Sequence, residues 1–117
     1  MAPTEDVLVE RSADGTAVVV FSGEHDLASA TEVRELLDSL LVQDDLVVAD
    51  FSTAQFVDSS ILKVVLETHA RADELGKVFR LQLHTADIVQ RAFEMSAVLT
   101  VVEHAKTRDE ALRREKK

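Results

Sequence analysis

Residues 47 to 60 read Val47-Val48-Ala49-Asp50-Phe51-Ser52-Thr53-Ala54-Gln55-Phe56-Val57-Asp58-Ser59-Ser60, an apolar run, a polar break, two apolar residues, an acid and two hydroxyls. The part from Leu46 to Asp50 is apolar without alternation, which predicts a central strand covered on both faces. A helix is predicted to begin near Asp58 and Ser59. The first N–H groups of a helix have no partner within it and carry the positive end of its dipole. The junction is therefore a suitable place to hold a phosphate.

The composition is that of one domain with no membrane-spanning segment. The chain has 117 residues, of which 46% are hydrophobic, and this content is sufficient for one core, so we expect a single domain over residues 1 to 117. The longest apolar runs, such as Ala17 to Phe21, have the length of a strand rather than the roughly 20 residues of a spanning helix. The N-terminus has no basic start and no apolar signal core, so we expect a cytoplasmic location without membrane contact.

Charge and cysteine content disfavour several classes of function. The formal net charge is −9, which repels a phosphate backbone, so no direct nucleic acid partner is expected. There is no cysteine, and the four histidines at positions 25, 69, 84 and 104 lack the spacing of metal ligands. We therefore expect no metal and no cofactor. Residues 106 to 117 carry six basic and three acidic side chains, which fits either a docking patch or cations at the end of a last helix.

The first half of the chain predicts a hairpin followed by a helix. Two β-branched runs, Val7 to Glu10 and Thr16 to Phe21, flank an Asp-Gly turn. The segment from Ser22 to Leu27 is predicted to be a loop. Ser29-Ala30-Thr31-Glu32 has the form of a capping box, and apolar residues recur behind it at helical spacing as far as Leu41.

The second half predicts further strands and helices. The best supported element is a helix from Ser59 to about Leu75, which Gly76 closes. Lys77 to His84 alternates and predicts a strand with one wetter face. The other predicted elements are a short helix capped by Thr85 and running to Glu94, a strand over Val98 to Val102, and a last helix opened by Thr107-Arg108-Asp109-Glu110. This order predicts an α/β fold with a mixed sheet and about four helices.

Three segments together resemble the STAS domain of bacterial anti-sigma factor antagonists. They are Phe21 to Leu27, similar to the family's G-E-L-D-L loop, Asp58 to Ser60, similar to its D-S-[ST]-G motif, and Phe93 to Val98, similar to its L-E-[LM]-[ST]-G-L turn. Each is short, but their order and spacing extend over essentially the whole chain. The resemblance implies a single STAS-type domain that binds an anti-sigma factor and so releases a sigma factor.

The resemblance also implies a phosphorylation site. In the family, the first hydroxyl after the Asp accepts a phosphoryl group from a partner kinase that is also the anti-sigma factor, and a phosphatase can reset the system. On this chain that residue is Ser59, and Ser60 is the less favoured acceptor. The rest of the implied site is the neighbouring acid and a docking loop, with the residues Asp58, Gly23, Glu24 and Asp26. A phosphate near two carboxylates would make phosphorylated chain release its partner.

Three residues depart from the family pattern, and they leave an alternative open. Ile61 stands where the family has Gly, and it would either hinder a kinase or pack inward; Ala97 also replaces a Gly. His25 replaces an apolar residue of the docking loop and is expected to be exposed. Asp58 or Ser59 also fits a simple N-cap role. The alternative function is a STAS module that binds a partner or a small ligand without being phosphorylated.

Two other classes fit the sequence less well. A hydrolase would use Ser59, Asp58 and a His as a triad, but the chain has no Gly-x-Ser-x-Gly elbow, so we do not expect an enzyme. A receiver domain would use Asp50 as phosphoacceptor, but residues 18 to 22 lack the paired acids that hold Mg²⁺ in that family. Asp50 is instead expected to cap the loop after it. Free sheet edges fit a monomer or a weak homodimer.

Overall fold

The computed structural model describes residues 6–84 and 87–113. The elements in this part are, in chain order, β1 (Val7–Ser12), β2 (Thr16–His25), α1 (Leu27–Gln43), β3 (Leu46–Val57), α2 (Ser59–Leu75), β4 (Val78–Gln82), α3 (Asp87–Glu94), α4 (Val98–Val101), β5 (Glu103–Ala105) and α5 (Arg108–Ala111). The strands form one sheet in the order β1-β2-β3-β4-β5. Strands β1 and β2 are antiparallel, and each later pair of neighbours is parallel. The predicted α/β fold with a mixed sheet is confirmed, with five helices in the described residues rather than about four.

The main core lies between one face of the sheet and the helices. Alternate residues of the central strands, such as Val47 and Ala49, point into it and are fully buried, together with the apolar stripes of α1 and α2. Three phenylalanines form its centre. Phe21 stacks on Phe51 with ring centroids 4.7 Å apart, and Phe51 contacts Phe93 at 5.1 Å. Each such ring removes a large apolar area from water, so this face holds α1, α2 and α3 on the sheet.

The opposite face of the sheet is covered by residues 107–113, which we call the C-terminal segment. Val18, Leu46 and Val48 of the sheet pack in a smaller apolar cluster with Ala111 of α5. Leu112 is partly buried against the same cluster. The described helix on this side has only four residues, so polar contacts complete the attachment.

Two arginines fasten the C-terminal segment in opposite directions. Arg108 extends from the segment to the sheet, where its guanidinium donates to Glu10 at 2.8 Å and to the buried Asp50 at 3.2 Å. Arg80 extends from β4 to the segment and donates to the carbonyl oxygens of Ala111 and Arg113 at 2.7 and 2.6 Å. Arg108, the first residue of α5, therefore forms ion pairs with Glu10 and Asp50 of the sheet. Neither role predicted for the basic tail, a docking patch or cations at the end of a last helix, included these ion pairs.

The start of α1 differs from the prediction. The prediction of a capping box at Ser29 is wrong, because the helix begins at Leu27 with Asp26 as its N-cap. The Asp26 side chain accepts a hydrogen bond from the amide of Ala28 at 3.0 Å. Ser29 lies inside the first turn, is buried, and donates its hydroxyl to the Asp26 carbonyl at 3.2 Å. Both residues have capping side chains, and the position at which the strand ends decides which of them is used.

Strands β2 and β3 are longer than predicted. The segment predicted as a loop after Phe21 pairs with β3 as far as His25, with Ser22 opposite Thr53 and Glu24 opposite Phe56. Two register shifts interrupt this pairing, and Gly23 adopts a φ of +73°, which side chains other than glycine rarely adopt. Bulges let polar and glycine residues continue a ladder that alternation alone does not predict.

The region after β4 also differs from the prediction. The prediction of a strand over Val98 to Val102 is wrong, because Val98–Val101 forms a helical turn and the strand β5 follows at Glu103–Ala105. Thr100 donates its hydroxyl to the Ala97 carbonyl at 2.7 Å, so local contacts outweigh the strand preference of valine. The predicted wetter face of β4 is wrong as well, because Arg80 and Gln82 are only 5% and 8% exposed, and Arg80 donates to the C-terminal segment.

Three predicted ends of elements agree with the structure. Gly15 in the first hairpin and Gly76 after α2 have φ values of +85° and +69°, and Gly76 closes α2. Thr107 caps α5, with its side chain accepting from the Glu110 amide at 3.1 Å. The predicted cap at Thr85 lies outside the described residues.

Candidate functional site

The starts of α1 and α2 lie side by side at one edge of the sheet. Strands β2 and β3 are parallel neighbours, and their last residues, His25 and Val57, are paired in register. The Asp58 amide donates to the His25 carbonyl at 3.3 Å, and the Leu27 amide donates to Asp58 Oδ2 at 3.2 Å. Because parallel strands end at the same edge, the helices that follow them begin together there. The docking loop predicted from Gly23 to Leu27 therefore lies beside the Asp-Ser-Ser motif.

Asp58 is the N-cap of α2 and makes several hydrogen bonds. Its Oδ1 accepts from the amides of Ser60 and Ile61 at 3.0 and 3.3 Å, and from the Ser60 hydroxyl. Partial burial acts to raise the pKa of Asp58, but the Ser60 hydroxyl and the amides of Ile61, Ser60 and Leu27 outweigh it and hold the pKa below its ordinary value. Hydrogen bonds to the ionised form stabilise that form, so Asp58 is a carboxylate at neutral pH.

The two serines of the motif have different environments. Ser59 is the first residue of α2 and is exposed, and its hydroxyl has no hydrogen-bond partner among residues 6–84 and 87–113. Ser60 is half-buried and donates its hydroxyl to Asp58. A hydroxyl that must attack or receive an incoming group has to be accessible. The structure leaves Ser59 available and engages Ser60 in the cap.

The open phosphate cradle expected at this junction is already filled by carboxylates. Asp58 accepts from the amides of Ser60 and Ile61 in α2 and of Leu27 in α1, and Asp26 accepts from the amide of Ala28. The expectation of unpaired N–H groups around Ser59 is therefore wrong for these four amides. A phosphate on Ser59 would have to displace a carboxylate to use them.

The predicted docking loop contains two exposed acids and one buried histidine. Glu24 is exposed, and so is Asp26. His25 was expected to be exposed, but it is only 2% exposed. Its Nε2 bonds to the Ser22 carbonyl at 2.9 Å, and its ring stands edge-on to Phe21 at 5.3 Å. His25 therefore takes the buried position at which the family has an apolar residue, with its ring against Phe21 and its Nε2 bonded to a carbonyl.

The possible hydrolytic triad is not assembled in the structure. The ring nitrogens of His25 lie nearest to Ser22 and Ser29, and no hydrogen bond joins them to Asp58 or Ser59 within the described part of the chain. Asp50, the residue relevant to a receiver domain, accepts from the Ser52 amide at 2.8 Å and from Arg108 at 3.2 Å. Its predicted role of capping the next residues agrees with the first of these bonds.

The glycine replacements of the motif do not disturb the backbone. Ile61 is 1% exposed and packs inward in the main core, which decides between the two orientations left open by the sequence. Ala97 has φ −79° and ψ −2°, a right-handed conformation that any residue adopts without strain. Neither position requires the glycine that the family pattern has.

Two exposed apolar residues of the site were missed by sequence reasoning. Leu27, which opens α1, is 75% exposed, and Phe56, opposite Glu24 in the ladder, is 37% exposed. Phe56 follows the largely polar stretch Ser52-Thr53-Ala54-Gln55, and this was the available signal. Leu27 gave none, because its amide contact with Asp58 spans 31 residues of sequence.

The described residues contain neither a metal-binding cluster nor a membrane-spanning helix. No group of three or more His, Cys, Asp or Glu side chains in residues 6–84 and 87–113 is placed to hold a metal ion. In the same ranges, none of the helices combines the length and the apolar character needed to cross a bilayer.

Comparison with known proteins identifies relatives of the whole domain. Residues 8–107 match the family model described as Mlab, STAS domain. No curated protein sequence matches the chain significantly. An anti-sigma factor antagonist from Mycobacterium paratuberculosis is similar in structure, with 25% identity and a TM-score of 0.75 over 91% of this chain and 89% of that chain.

Two further structures are similar in fold. The anti-sigma-factor antagonist (STAS) domain protein from Planctomyces limnophilus has 17% identity and a TM-score of 0.74, covering 91% of this chain and 93% of that one. The Bacillus cell fate determinant SpoIIAA, in its phosphorylated form, has 20% identity and a TM-score of 0.66, covering 90% of this chain and 95% of that one. From the family match over residues 8–107 and this fold, the chain belongs to the STAS domain family.

Proposed function

We propose that this STAS domain is an anti-sigma factor antagonist that acts in the cytoplasm. In its unphosphorylated form it binds an anti-sigma factor, which is also a serine kinase, and the sigma factor is released. Phosphorylation of Ser59 ends the binding, and a phosphatase restores it. The observation that carries the proposal is the difference between the two hydroxyls, since Ser59 is exposed and unbonded within the described residues while Ser60 donates to Asp58.

The similarity to anti-sigma factor antagonists supports an anti-sigma factor as the binding partner. The Mycobacterium paratuberculosis protein and the Planctomyces limnophilus protein are both described as antagonists of anti-sigma factors, and the Bacillus protein SpoIIAA exists in a phosphorylated form. The motif Asp58-Ser59-Ser60 lies at the start of α2 beside the docking loop. These likenesses favour a regulatory protein contact over catalysis, and we propose no enzymatic activity for the chain.

The charge of the site provides the mechanism of release. Glu24 and Asp26 are exposed and Asp58 is ionised beside Ser59, so a phosphate would add about −1.5 to −2 charges to an acidic surface. The nearby amides already serve the carboxylates. The new charge would therefore be solvated by water, and a partner that covers it must remove that water at a high cost in free energy.

The exposed apolar residues make the same contact sensitive to charge. Leu27 and Phe56 offer apolar surface next to the motif, and a partner gains most by excluding water from such residues. The same exclusion strengthens repulsion between a phosphate and any acid of the partner, because the effective dielectric constant falls.

The test is the intact mass of the protein purified from its own cells, with and without phosphatase treatment. Wild type, Ser59→Ala and Ser60→Ala are compared, and Ser60→Ala is the matched control because it removes the neighbouring hydroxyl. We expect a phosphatase-sensitive phosphate on wild type and on Ser60→Ala, and none on Ser59→Ala. Wild type that stays unmodified after incubation with ATP and native lysate would refute the switch. It would support the alternative of a STAS module that binds without phosphorylation.

A further inference from the structure

The C-terminal segment covers its face of the sheet with few apolar side chains. Of its described residues, Ala111 alone is buried, and Leu112 is partly buried against the smaller apolar cluster. The other face of the sheet carries the three packed phenylalanines and two helices of 17 residues each. Because burial of apolar surface is the main attraction between elements, the segment is held to the sheet more weakly than α1 and α2 are.

The polar attachment of the segment includes two buried atoms without a hydrogen bond. Arg108 donates from Nη1 to Glu10 and from Nη2 to Asp50, but its Nε is buried and has no partner in the part of the chain that the structure describes. The same holds for Oε1 of Gln82, which lies opposite Asp50 in the ladder of β3 and β4. A buried polar atom without a partner destabilises the closed arrangement relative to one in which water reaches it.

The buried charges of the sheet have partners that do not belong to the C-terminal segment. Arg80 is paired with Glu103 of β5 at 2.8 Å, and Asp50 accepts from the amide of Ser52 at 2.8 Å. Both contacts remain when the segment leaves, and water then reaches the charges as well. Removal of the segment therefore leaves neither charge buried without a partner, which is the arrangement that would be most costly.

The chain also has a position at which the segment can swing away. The Ala105 carbonyl is tied to the sheet by the amide of Leu83 at 2.8 Å, whereas Lys106, the next residue, is exposed. We propose that the C-terminal segment opens as a unit about Lys106, without global unfolding, and uncovers the apolar cluster of the sheet beneath it. The segment is then a removable cover of a second apolar surface. This inference is independent of phosphorylation at Ser59.

The experiment is thiol labelling of the full chain, which has no cysteine of its own. Val47 and Val48 are neighbours in β3 and both are 0% exposed, but Val47 faces the main core and Val48 belongs to the cluster under the C-terminal segment. A buried thiol is inert and reacts with a water-soluble disulfide reagent only when the protein opens around it. Val48→Cys therefore reports opening of the segment, and Val47→Cys is its matched control on the main core.

The two labelling rates distinguish local opening from global unfolding. Urea denaturation of each variant gives the fraction of globally unfolded chain, and with it the labelling rate that global unfolding alone produces. We expect Val48→Cys to be labelled at least about tenfold faster than that rate, and Val47→Cys to be labelled at that rate. Labelling of both thiols at the rate of global unfolding would overturn the proposal.

A second pair of valines repeats the comparison on β2, so that it holds even if Val48→Cys fails to fold. Val18 belongs to the cluster under the segment and Val19 to the main core, with exposures of 5% and 0%. Val18→Cys should be labelled faster than global unfolding allows, and Val19→Cys should not. Equal rates, each corrected for global stability, would contradict opening of the segment.

An arginine outside the segment provides the control for its polar attachment. In the Val48→Cys chain, Arg108→Ala should speed labelling roughly tenfold, because it removes the bonds that hold the segment to the sheet. Arg11 forms a comparable pair with the buried Asp44, at 3.0 and 3.2 Å, and Arg11→Ala should leave the labelling rate unchanged. Equal acceleration by both substitutions would mean that the thiol reports general loss of stability, which would refute local opening.

Discussion

Asp58 Oδ2 accepts a hydrogen bond from the backbone amide of Leu27 at 3.2 Å, while Oδ1 of the same carboxylate accepts from the first turn of α2. One side chain therefore caps two helices that are separated by a whole strand in sequence. The acid of the Asp-Ser-Ser motif is a structural tie between the docking loop and the proposed phosphorylation site. A negative charge added beside Asp58 would therefore interact with the first turns of both α1 and α2.

The shared cap predicts a larger stability loss at Asp58 than at Asp26. Asp58→Ala removes an acceptor from amides of both helices, and we expect a loss of about 2 kcal/mol in the free energy of unfolding. Asp26→Ala removes the cap of α1 alone and should cost about 1 kcal/mol. Urea denaturation of the two variants gives the comparison. Equal losses would mean that the contact between Leu27 and Asp58 contributes nothing.

The lowered pKa of Asp58 predicts a dependence of stability on pH. Because its pKa is lower in the folded chain than in the unfolded chain, the ionised carboxylate stabilises the fold above its unfolded-state pKa. That contribution is lost as the pH falls through the folded-state pKa. The stability difference between wild type and Asp58→Asn should therefore shrink in acid, as measured by urea denaturation at a series of pH values. A difference that stays constant into strong acid would contradict it.

The Ser60 hydroxyl provides an independent check on the same carboxylate. It is one of the groups that lower the pKa of Asp58, so Ser60→Ala should raise that pKa toward its ordinary value. An NMR titration of the Asp58 side-chain carboxyl carbon measures this directly. Ser59→Ala is the control, since Ser59 has no such bond to Asp58 in the described residues, and it should leave the titration unchanged.

A negative charge at Ser59 is predicted to weaken binding of the anti-sigma partner. Ser59→Asp places a third carboxylate beside Asp58 and Asp26, and we expect at least a roughly tenfold loss of affinity if the partner excludes water there. Ser59→Ala should bind like wild type and become insensitive to ATP. Affinities can be measured by titration calorimetry with the cognate partner. Identical affinities for the aspartate and alanine variants would reject release by charge.

The inward orientation of Ile61 predicts a structural cost for its removal. Ile61→Ala should lose about 3 kcal/mol of unfolding free energy, because the side chain is 1% exposed in the main core. Leu62→Ala is the matched control, since Leu62 is only partly buried against that core, and it should lose less. Should Ile61→Ala keep full stability and gain phosphate faster than wild type, the side chain would face the kinase instead.

The pairing of Arg108 with a buried acid predicts an asymmetric effect of its two partners. Arg108→Ala leaves Asp50, whose side chain is 4% exposed, without its ion pair, and we expect a loss of about 2 kcal/mol. Glu10→Ala, at an exposed pair, should cost less than about 1 kcal/mol. Adding Asp50→Asn to Arg108→Ala should recover part of the loss. A double-mutant cycle from urea denaturation tests this coupling, and additive losses would exclude it.

The elements that sequence reasoning predicted well are those whose signals are local. The strand from Leu46 to Asp50 is indicated by an unbroken apolar run, and the helix from Ser59 to Leu75 by its apolar stripe and the glycine that ends it. The order of these elements leaves few arrangements for a sheet. Composition and periodicity were therefore sufficient for the fold class, and the Asp-Ser-Ser motif for the start of α2.

The errors occurred where long-range contacts decide the local state. The Gly23 to His25 segment is a strand because β3 lies alongside it with two bulges, and that pairing then moves the start of α1 to Leu27. Arg80 is buried beneath a segment that follows about 30 residues later in the chain, to whose carbonyls it donates. Patterns of polar and apolar residues do not contain the identity of the covering element.

The sequence by itself determined the order of the elements from β1 to α3 and put an acid and two serines at the start of α2, because capping and periodicity are local properties of the chain. Only the tertiary structure decided which serine is free, which amides are already bonded and that Ile61 points inward. Those features depend on the parallel pairing of β2 with β3, which brings residues 31 positions apart into hydrogen-bond contact.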